Sequence, residues 1–153
     1  MTTTIIRLAQ ERDLAALGAM VGAQAAHHGD AAATSEDLRR RDILSNHPWV
    51  RVWVAEAQGR LVGYVACTRR VQMQFGKRGI DLHHLFVVED RRGQGVGTAL
   101  VDVARDWARD EACSVVMVGT EPGNIRAQRF YLGLSFQQVT VEGVRFVLPV
   151  EAR

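Results

Sequence analysis

A glycine-rich turn, Arg91-Arg92-Gly93-Gln94-Gly95-Val96-Gly97, is the segment of the sequence best suited to bind an anion. It connects a strand-like run to a helix-like run, so its backbone N–H groups can point at a ligand from the positive end of the helix. The glycines permit positive φ and close approach of the backbone, and Arg92 adds a fixed cation for phosphate oxygens. The turn predicts a phosphate or pyrophosphate site, and a tight turn that needs glycine for its shape alone is the competing interpretation.

Two common phosphate-binding motifs do not fit these residues. A dinucleotide-binding G-x-G-x-x-G would need glycine where Thr98 stands. A P-loop would need G-K-[ST], which the sequence lacks.

A carboxylate and an imidazole precede the turn on the strand-like run 80–88. Strand alternation places Asp81 and His83 on one face and His84 on the opposite face, where it would pack or cap. A proton-transfer pair is one interpretation, and His83 is preferred slightly to Asp81 because an unperturbed imidazole titrates near neutral pH. Polar residues on a partly solvated strand are the other interpretation. Glu56, at the end of an earlier strand, is a further candidate base.

The elements that must position these residues follow from apolar spacing and turn residues. The predicted order is a strand at 3–8, helices from Asp13 and Thr34, hairpin strands at 50–54 and 61–68, a basic loop at 69–79, a strand at 80–88, a helix with Leu100, Val103, Ala104 and Trp107 on one face, a strand at 115–118 buried on both faces, a helix from Asn124, and two strands around Glu142-Gly143. This order predicts an α/β (α+β) domain with a mixed sheet.

The spacing Arg92-x-x-Gly95-x-Gly97, directly after the run 85–90, resembles the acetyl-CoA-binding signature of the GNAT superfamily of N-acetyltransferases. The resemblance continues through Asn124, Ala127, Phe130-Tyr131 and 133–136, and covers roughly the whole chain in element order. At 133–136 the residues are Gly-Leu-Ser-Phe, where the family often has Gly directly before Phe. The resemblance implies a mixed, mostly antiparallel six- to seven-stranded sheet with helices on both faces and a splay between the strands at 80–88 and 114–119.

The resemblance also implies acetyl-CoA as co-substrate, with no metal. Its pantetheine arm would pair with the strand edge and its pyrophosphate would lie on the turn. The implied cofactor-binding residues are Leu85, Phe86, Val87, Arg92, Gly93, Gln94, Gly95, Val96, Gly97, Thr98, Asn124 and Tyr131. Tyr131 would protonate the leaving thiolate, and Asn124 would also cap its helix. His83 or Asp81 would serve as the general base, with Glu56 and a water molecule as alternatives.

Composition limits the remaining function classes. The 153 residues suit one domain, 1–153, and the net charge of +2 is too small and too dispersed to predict nucleic-acid binding. Cys67 and Cys113 suit neither a zinc site nor a disulfide framework. The longest stretch without charged residues, 14–29, is too short to span a membrane, and the N-terminus does not resemble a secretory signal.

The expectation is therefore a cytoplasmic N-acetyltransferase for a primary amine of a small molecule, peptide or protein, with possible homodimerisation. A non-catalytic acyl-CoA-binding sensor is the alternative.

Overall fold

The structure, a computed structural model, describes residues 3–151 of a chain that divides into a first unit, Met1–Gly119, and a second, Thr120–Arg153. The strands of the first unit are β1 (Thr4–Leu8), β2 (Arg51–Ala57), β3 (Arg60–Gln72), β4 (Lys77–Val87) and β5 (Val115–Val118). Its helices are α1 (Leu14–His27), α2 (Glu36–Leu44) and α3 (Val96–Asp110). The second unit contains α4 (Ile125–Gly133).

The five strands form one sheet in the order β1-β2-β3-β4-β5. Neighbouring strands are antiparallel except for β4 and β5, which are parallel because α3 carries the chain back along the sheet. The mixed, mostly antiparallel α/β fold is confirmed, with five strands in the described part of the chain instead of the predicted six to seven.

The two faces of the sheet pack against different helices. Val52, Val54 and Tyr64 share a buried cluster with residues of α1. Trp53 lies between two of these positions in sequence, so its side chain points to the other face, where its ring contacts Trp107 of α3 at 5.4 Å between centroids. Helices therefore cover both faces, as predicted.

The predicted faces of two elements need correction. In α3, Leu100, Ala104 and Trp107 are buried as predicted, but Val103 is only half-buried. β5 was predicted to be buried on both faces, yet Val115 is exposed because this strand forms an edge of the sheet.

Two other predictions fail at the ends of strands. The predicted basic loop 69–79 is largely hairpin, since β3 runs to Gln72 and β4 begins at Lys77. The final strands around Glu142-Gly143 do not form, and residues 137–150 have no regular secondary structure. Their apolar side chains are exposed, and a hairpin without a surface to cover it is only marginally stable.

Two arginines contact the buried indole ring of Trp107. The guanidinium carbons of Arg51 and Arg69 lie 5.0 and 4.8 Å from its centroid. We predict that Trp107→Phe lowers the free energy of unfolding by about 1 to 2 kcal/mol, because the smaller ring weakens both cation–π contacts. Urea denaturation measures the change. The matched variant Trp49→Phe, at an 83% exposed position, should stay within about 0.5 kcal/mol of wild type; equal losses would contradict this role of Trp107.

Candidate active site

β4 extends beyond the end of β5 along the edge that the two strands share. The two strands pair only between Gly79–Leu82 and Val115–Val118, and β4 continues to Val87 after β5 has ended. β5 is paired along its whole length, so the free part of β4 follows from the early end of β5, and a splay between the two strands stays a prediction. Backbone groups of residues 83–87 on this side have no strand partner within residues 3–151. Except for the Val87 carbonyl, which accepts from Arg92, they can pair with an extended ligand.

The glycine-rich turn follows β4 and leads into α3. Gly93 and Gly95 have φ of 74° and 85°, in the left-handed region that favours glycine, and Gly95 is the N-cap of α3. Within the described part of the chain, the N–H groups of residues 93–95 meet no acceptor. Free amides at the positive end of a fifteen-residue helix suit an anion such as a pyrophosphate.

Arg92 is held between the turn and the end of β4. Its Nε donates to the carbonyl oxygen of Val87 at 2.9 Å, and its guanidinium carbon lies 5.9 Å from the centroid of the Phe86 ring. These contacts fix a cation beside the free edge of β4 and the unbonded amides of the turn.

An open cavity of about 780 Å³ lies on the sheet face that carries α1 and α2. Its size is typical of a small-molecule site. Apolar and polar groups line it together: Leu17, Val21, Thr34, Arg39, Arg41, Asp42, Ile43, Trp49, Val50, Val52, Tyr64, Ala66, Thr68, His83 and His84.

A β-bulge brings two histidines into this cavity. Ala66 pairs with His84 and Cys67 with Leu82, which leaves His83 as an extra residue in β4. The two imidazole rings stack, with centroids 4.3 Å apart and planes inclined by 12°. The prediction that His84 points to the opposite face is wrong, because the bulge interrupts the alternation on which it depended.

The other candidate bases differ in their positions. Asp81 pairs with Thr68, which lines the cavity, so Asp81 lies on the same face of the sheet, although it is not itself a lining residue. Glu56 accepts a hydrogen bond from Arg7 at 2.9 Å and lies 3.6 Å from Arg12. Glu56 is not among the cavity residues, and its carboxylate is occupied by these two arginines.

A hydrogen-bonded chain links α1 to the histidine pair. The Tyr64 hydroxyl lies 2.9 Å from Gln24 Oε1 and 3.0 Å from His84 Nδ1. Burial, with smaller contributions from His83 and His28, lowers the pKa of His84 to about 4, and burial raises the pKa of Tyr64 well above its usual range. At neutral pH His84 is therefore an uncharged imidazole and Tyr64 a protonated phenol. Sequence reasoning missed this chain, because no spacing rule connects Gln24 with Tyr64.

The second unit contains the remaining predicted site residues. Asn124 caps α4 as predicted, with Oδ1 accepting from the Ala127 N–H at 3.1 Å. The Tyr131 ring packs edge-on against Phe130 and Phe136, with centroids 5.2 and 5.4 Å away. Desolvation by burial raises the pKa of Tyr131 to about 12, so its hydroxyl keeps its proton across the physiological pH range.

A sequence model described as the Acetyltransferase (GNAT) family matches residues 18–136, well over half of the chain. The chain belongs to the GNAT family. This match includes the free edge of β4, the glycine-rich turn, the histidine pair and Tyr131.

Curated relatives carry N-acetyltransferase names. A protein named "uncharacterized N-acetyltransferase" from Archaeoglobus fulgidus is 33% identical over 100 residues, which are 61% of this chain and 68% of that protein. N-acetyltransferase 8B from Rattus norvegicus is 34% identical over 104 residues, or 62% of this chain. The match spans only about half of the rat protein, 47% of its length.

Solved structures support the GNAT fold. A ribosomal-protein-alanine N-acetyltransferase from Brucella melitensis superposes with a TM-score of 0.75 at 22% identity, covering 94% of this chain and 100% of that one. An aminoglycoside N-acetyltransferase in complex with CoA gives a TM-score of 0.76 at 18% identity, covering 97% and 96%.

Neither a metal cluster nor a membrane-spanning helix occurs in residues 3–151 of this GNAT chain. No group of three or more His, Cys, Asp or Glu side chains is arranged there to hold a metal ion. No helix in that part is both long and apolar enough to cross a membrane.

Proposed function

We propose that this chain transfers the acetyl group of acetyl-CoA to a primary amine in a ternary complex. The observation that carries the proposal is the unpaired edge of β4 next to a helix-capping turn whose amides at 93–95 are unbonded. An extended pantetheine arm needs the first feature and a pyrophosphate needs the second. The family and the names of the relatives support the same reaction.

The proposed donor site combines strand pairing with anion binding. The backbone of Leu85, Phe86 and Val87 would hydrogen-bond to the pantetheine amides. The amides and side chains of 92–98 would hold the pyrophosphate, with Arg92 as the fixed cation. Asn124 and Tyr131 complete the proposed set of cofactor-binding residues.

The acceptor must lose a proton to attack. An alkyl amine has a pKa of about 10.4, so its deprotonation at pH 7 costs about 4.6 kcal/mol. We assign the base role to His83, with Asp81 as the alternative on the same sheet face. His84 is unsuited to that role, because a pKa of about 4 makes it a weak proton acceptor. Through its bond to Tyr64 it instead fixes the stacked ring of His83.

In the proposed step His83 takes the proton that the ammonium group must lose, and the neutral nitrogen forms a bond to the acetyl carbon. The C–S bond breaks as the tetrahedral intermediate collapses, and the second N–H proton is lost to water, which gives the amide and the thiolate of CoA. Tyr131 donates a hydrogen bond to the departing sulfur. A thiol has a pKa of about 8.5, below that of Tyr131 at about 12, so the phenol stabilises the thiolate while solvent supplies the final proton.

We predict that Arg92→Ala raises the Kd for CoA about 10- to 100-fold, because it removes a charge-assisted contact to phosphate. Calorimetric titration of the purified protein with CoA measures the change. Arg91→Ala is the matched control, since the Arg91 side chain turns away to Gln58 at 3.3 Å. Equal effects of the two variants would argue against the pyrophosphate site.

Turnover is tested by the release of CoA thiol from acetyl-CoA over a panel of primary amines. Amine-dependent release, abolished by His83→Ala, would support the enzyme. Saturable CoA binding without release by any amine would instead indicate an acyl-CoA-binding sensor.

A further inference from the structure

One arginine that lines the cavity is held in place, but its two terminal nitrogens have no hydrogen-bond acceptor among residues 3–151. Arg39, on α2, donates from Nε to the carbonyl oxygen of Leu14 on α1 at 2.9 Å. Its guanidinium lies against the backbone of Gly18, where an added Cβ would clash with Nη2. The guanidinium of Arg39 is thus held against α1 at a glycine, which has no side chain to displace it.

Arg39 differs from its neighbours on α2 in having no anionic partner among the described residues, 3–151. Arg40 pairs with Glu11, Glu36 and Asp37. Arg41 binds both carboxylate oxygens of Asp42, at 2.8 and 3.0 Å. Nη1 and Nη2 of Arg39 contact no acceptor among residues 3–151, and Arg39 lines the cavity.

The other charges of the cavity leave that positive charge uncompensated. Asp42 is the carboxylate that lines the cavity. Its hydrogen bonds from Arg41 lower the pKa of Asp42, and the charge of Arg41 balances the charge of this carboxylate. Part of the cavity wall is apolar and is formed by Leu17, Val21 and Ile43. A polyamine would therefore meet a net cationic cavity, whereas a carboxylate would meet an oriented, partly desolvated guanidinium.

We infer that the acceptor is a small primary amine that also carries a carboxylate and an apolar group, the chemistry of an apolar amino acid. Arg39 binds the carboxylate through Nη1 and Nη2, the apolar group lies on the wall from α1 and α2, and the amine is directed to His83. This assignment rests on the proposed acetyl transfer and names its acceptor class.

The test compares leucine with isopentylamine, which is leucine without its carboxylate. For wild type, kcat/KM for leucine is expected to exceed that for isopentylamine. Arg39→Gln should lower this preference about 10- to 100-fold, through KM for leucine, because a charge-assisted pair is lost. A role of Arg39 in folding alone would change both substrates equally and would overturn the inference.

Two glycines of α1 give matched variants. Gly18→Ala displaces the guanidinium and should reduce the preference for leucine in the same direction as Arg39→Gln. Gly22→Ala meets no atom within 4 Å and should leave the preference unchanged. Equal behaviour of the two alanine variants would contradict the positioning of Arg39 by Gly18.

A binding measurement separates failure of this inference from failure of the proposed function. N-acetyl-leucine and N-isopentylacetamide are titrated into wild type and Arg39→Gln in the presence of CoA. Tighter binding of N-acetyl-leucine, lost in the variant, supports the inference even without turnover. If isopentylamine is acetylated but N-acetyl-leucine binds no better than its analogue, the acceptor class is wrong and the acetyl transfer stands.

Discussion

Tyr131→Phe is expected to lower kcat for amine acetylation about 100- to 1,000-fold, because one hydrogen bond to the charge that develops on the leaving sulfur is lost. The substitution keeps the ring that packs between Phe130 and Phe136 and removes only the hydroxyl. The Kd for CoA should change by less than about threefold, which is under 1 kcal/mol. Steady-state kinetics with saturating acetyl-CoA measure the effect.

Phe136→Leu is the control for packing around Tyr131. It removes the ring 5.4 Å from Tyr131 but leaves the hydroxyl, so most of kcat should remain. An unchanged kcat in Tyr131→Phe would remove the tyrosine from the mechanism. A larger loss in Phe136→Leu than in Tyr131→Phe would show that the ring, not its hydroxyl, matters.

Asp13→Ala is expected to lower the free energy of unfolding by about 2 to 4 kcal/mol. Asp13 is 3% exposed and accepts from Arg7 at 2.7 and 2.9 Å and from the Gln10 N–H at 2.7 Å. Its removal takes the acceptor from the part-buried bond of the Gln10 N–H and leaves Glu56 as the carboxylate partner of Arg7. Asp37→Ala breaks a pair with Arg40 at a 94% exposed carboxylate and should cost less than about 0.5 kcal/mol.

The pH dependence of unfolding tests the same carboxylate. The hydrogen bonds from Arg7 and Gln10 lower the pKa of Asp13 in the folded state. The unfolded carboxyl has a pKa of about 3.9, so the stabilisation is complete above that pH and is lost as pH falls through the lowered folded pKa. In Asp13→Ala this loss of stability at low pH should be absent. This role of Asp13 would be contradicted if Asp13→Ala kept the same pH-dependent loss of stability. It would also be contradicted if Asp37→Ala lowered the free energy of unfolding as much as Asp13→Ala.

The sequence predicted the parts of the site that depend on local rules. Glycines at 93 and 95 suit a left-handed backbone, and Asn124 is a common cap, so the turn and the start of α4 could be located from residue types and spacing alone. The part of β4 beyond the end of β5 agrees with the free strand edge on which the resemblance placed the pantetheine arm.

The parts that failed depend on long-range contacts. Whether His84 faces the cavity is decided by an extra residue in β4 opposite β3, and the residue types of 80–88 gave no signal for this bulge. Arg39 lies in a run of three arginines on α2, and sequence reasoning did not single it out. Its special position depends on the Leu14 carbonyl and on Gly18, both more than twenty residues away.

Titration with acetyl-CoA while hydrogen exchange is followed at the backbone amides tests the donor site most directly. Saturable binding is expected, with slowed exchange at residues 93–98 and along 85–87, where the ligand replaces water as the hydrogen-bond partner. Absence of binding at millimolar acetyl-CoA, or binding that protects neither segment, would contradict the donor site and the acetyl transfer built on it.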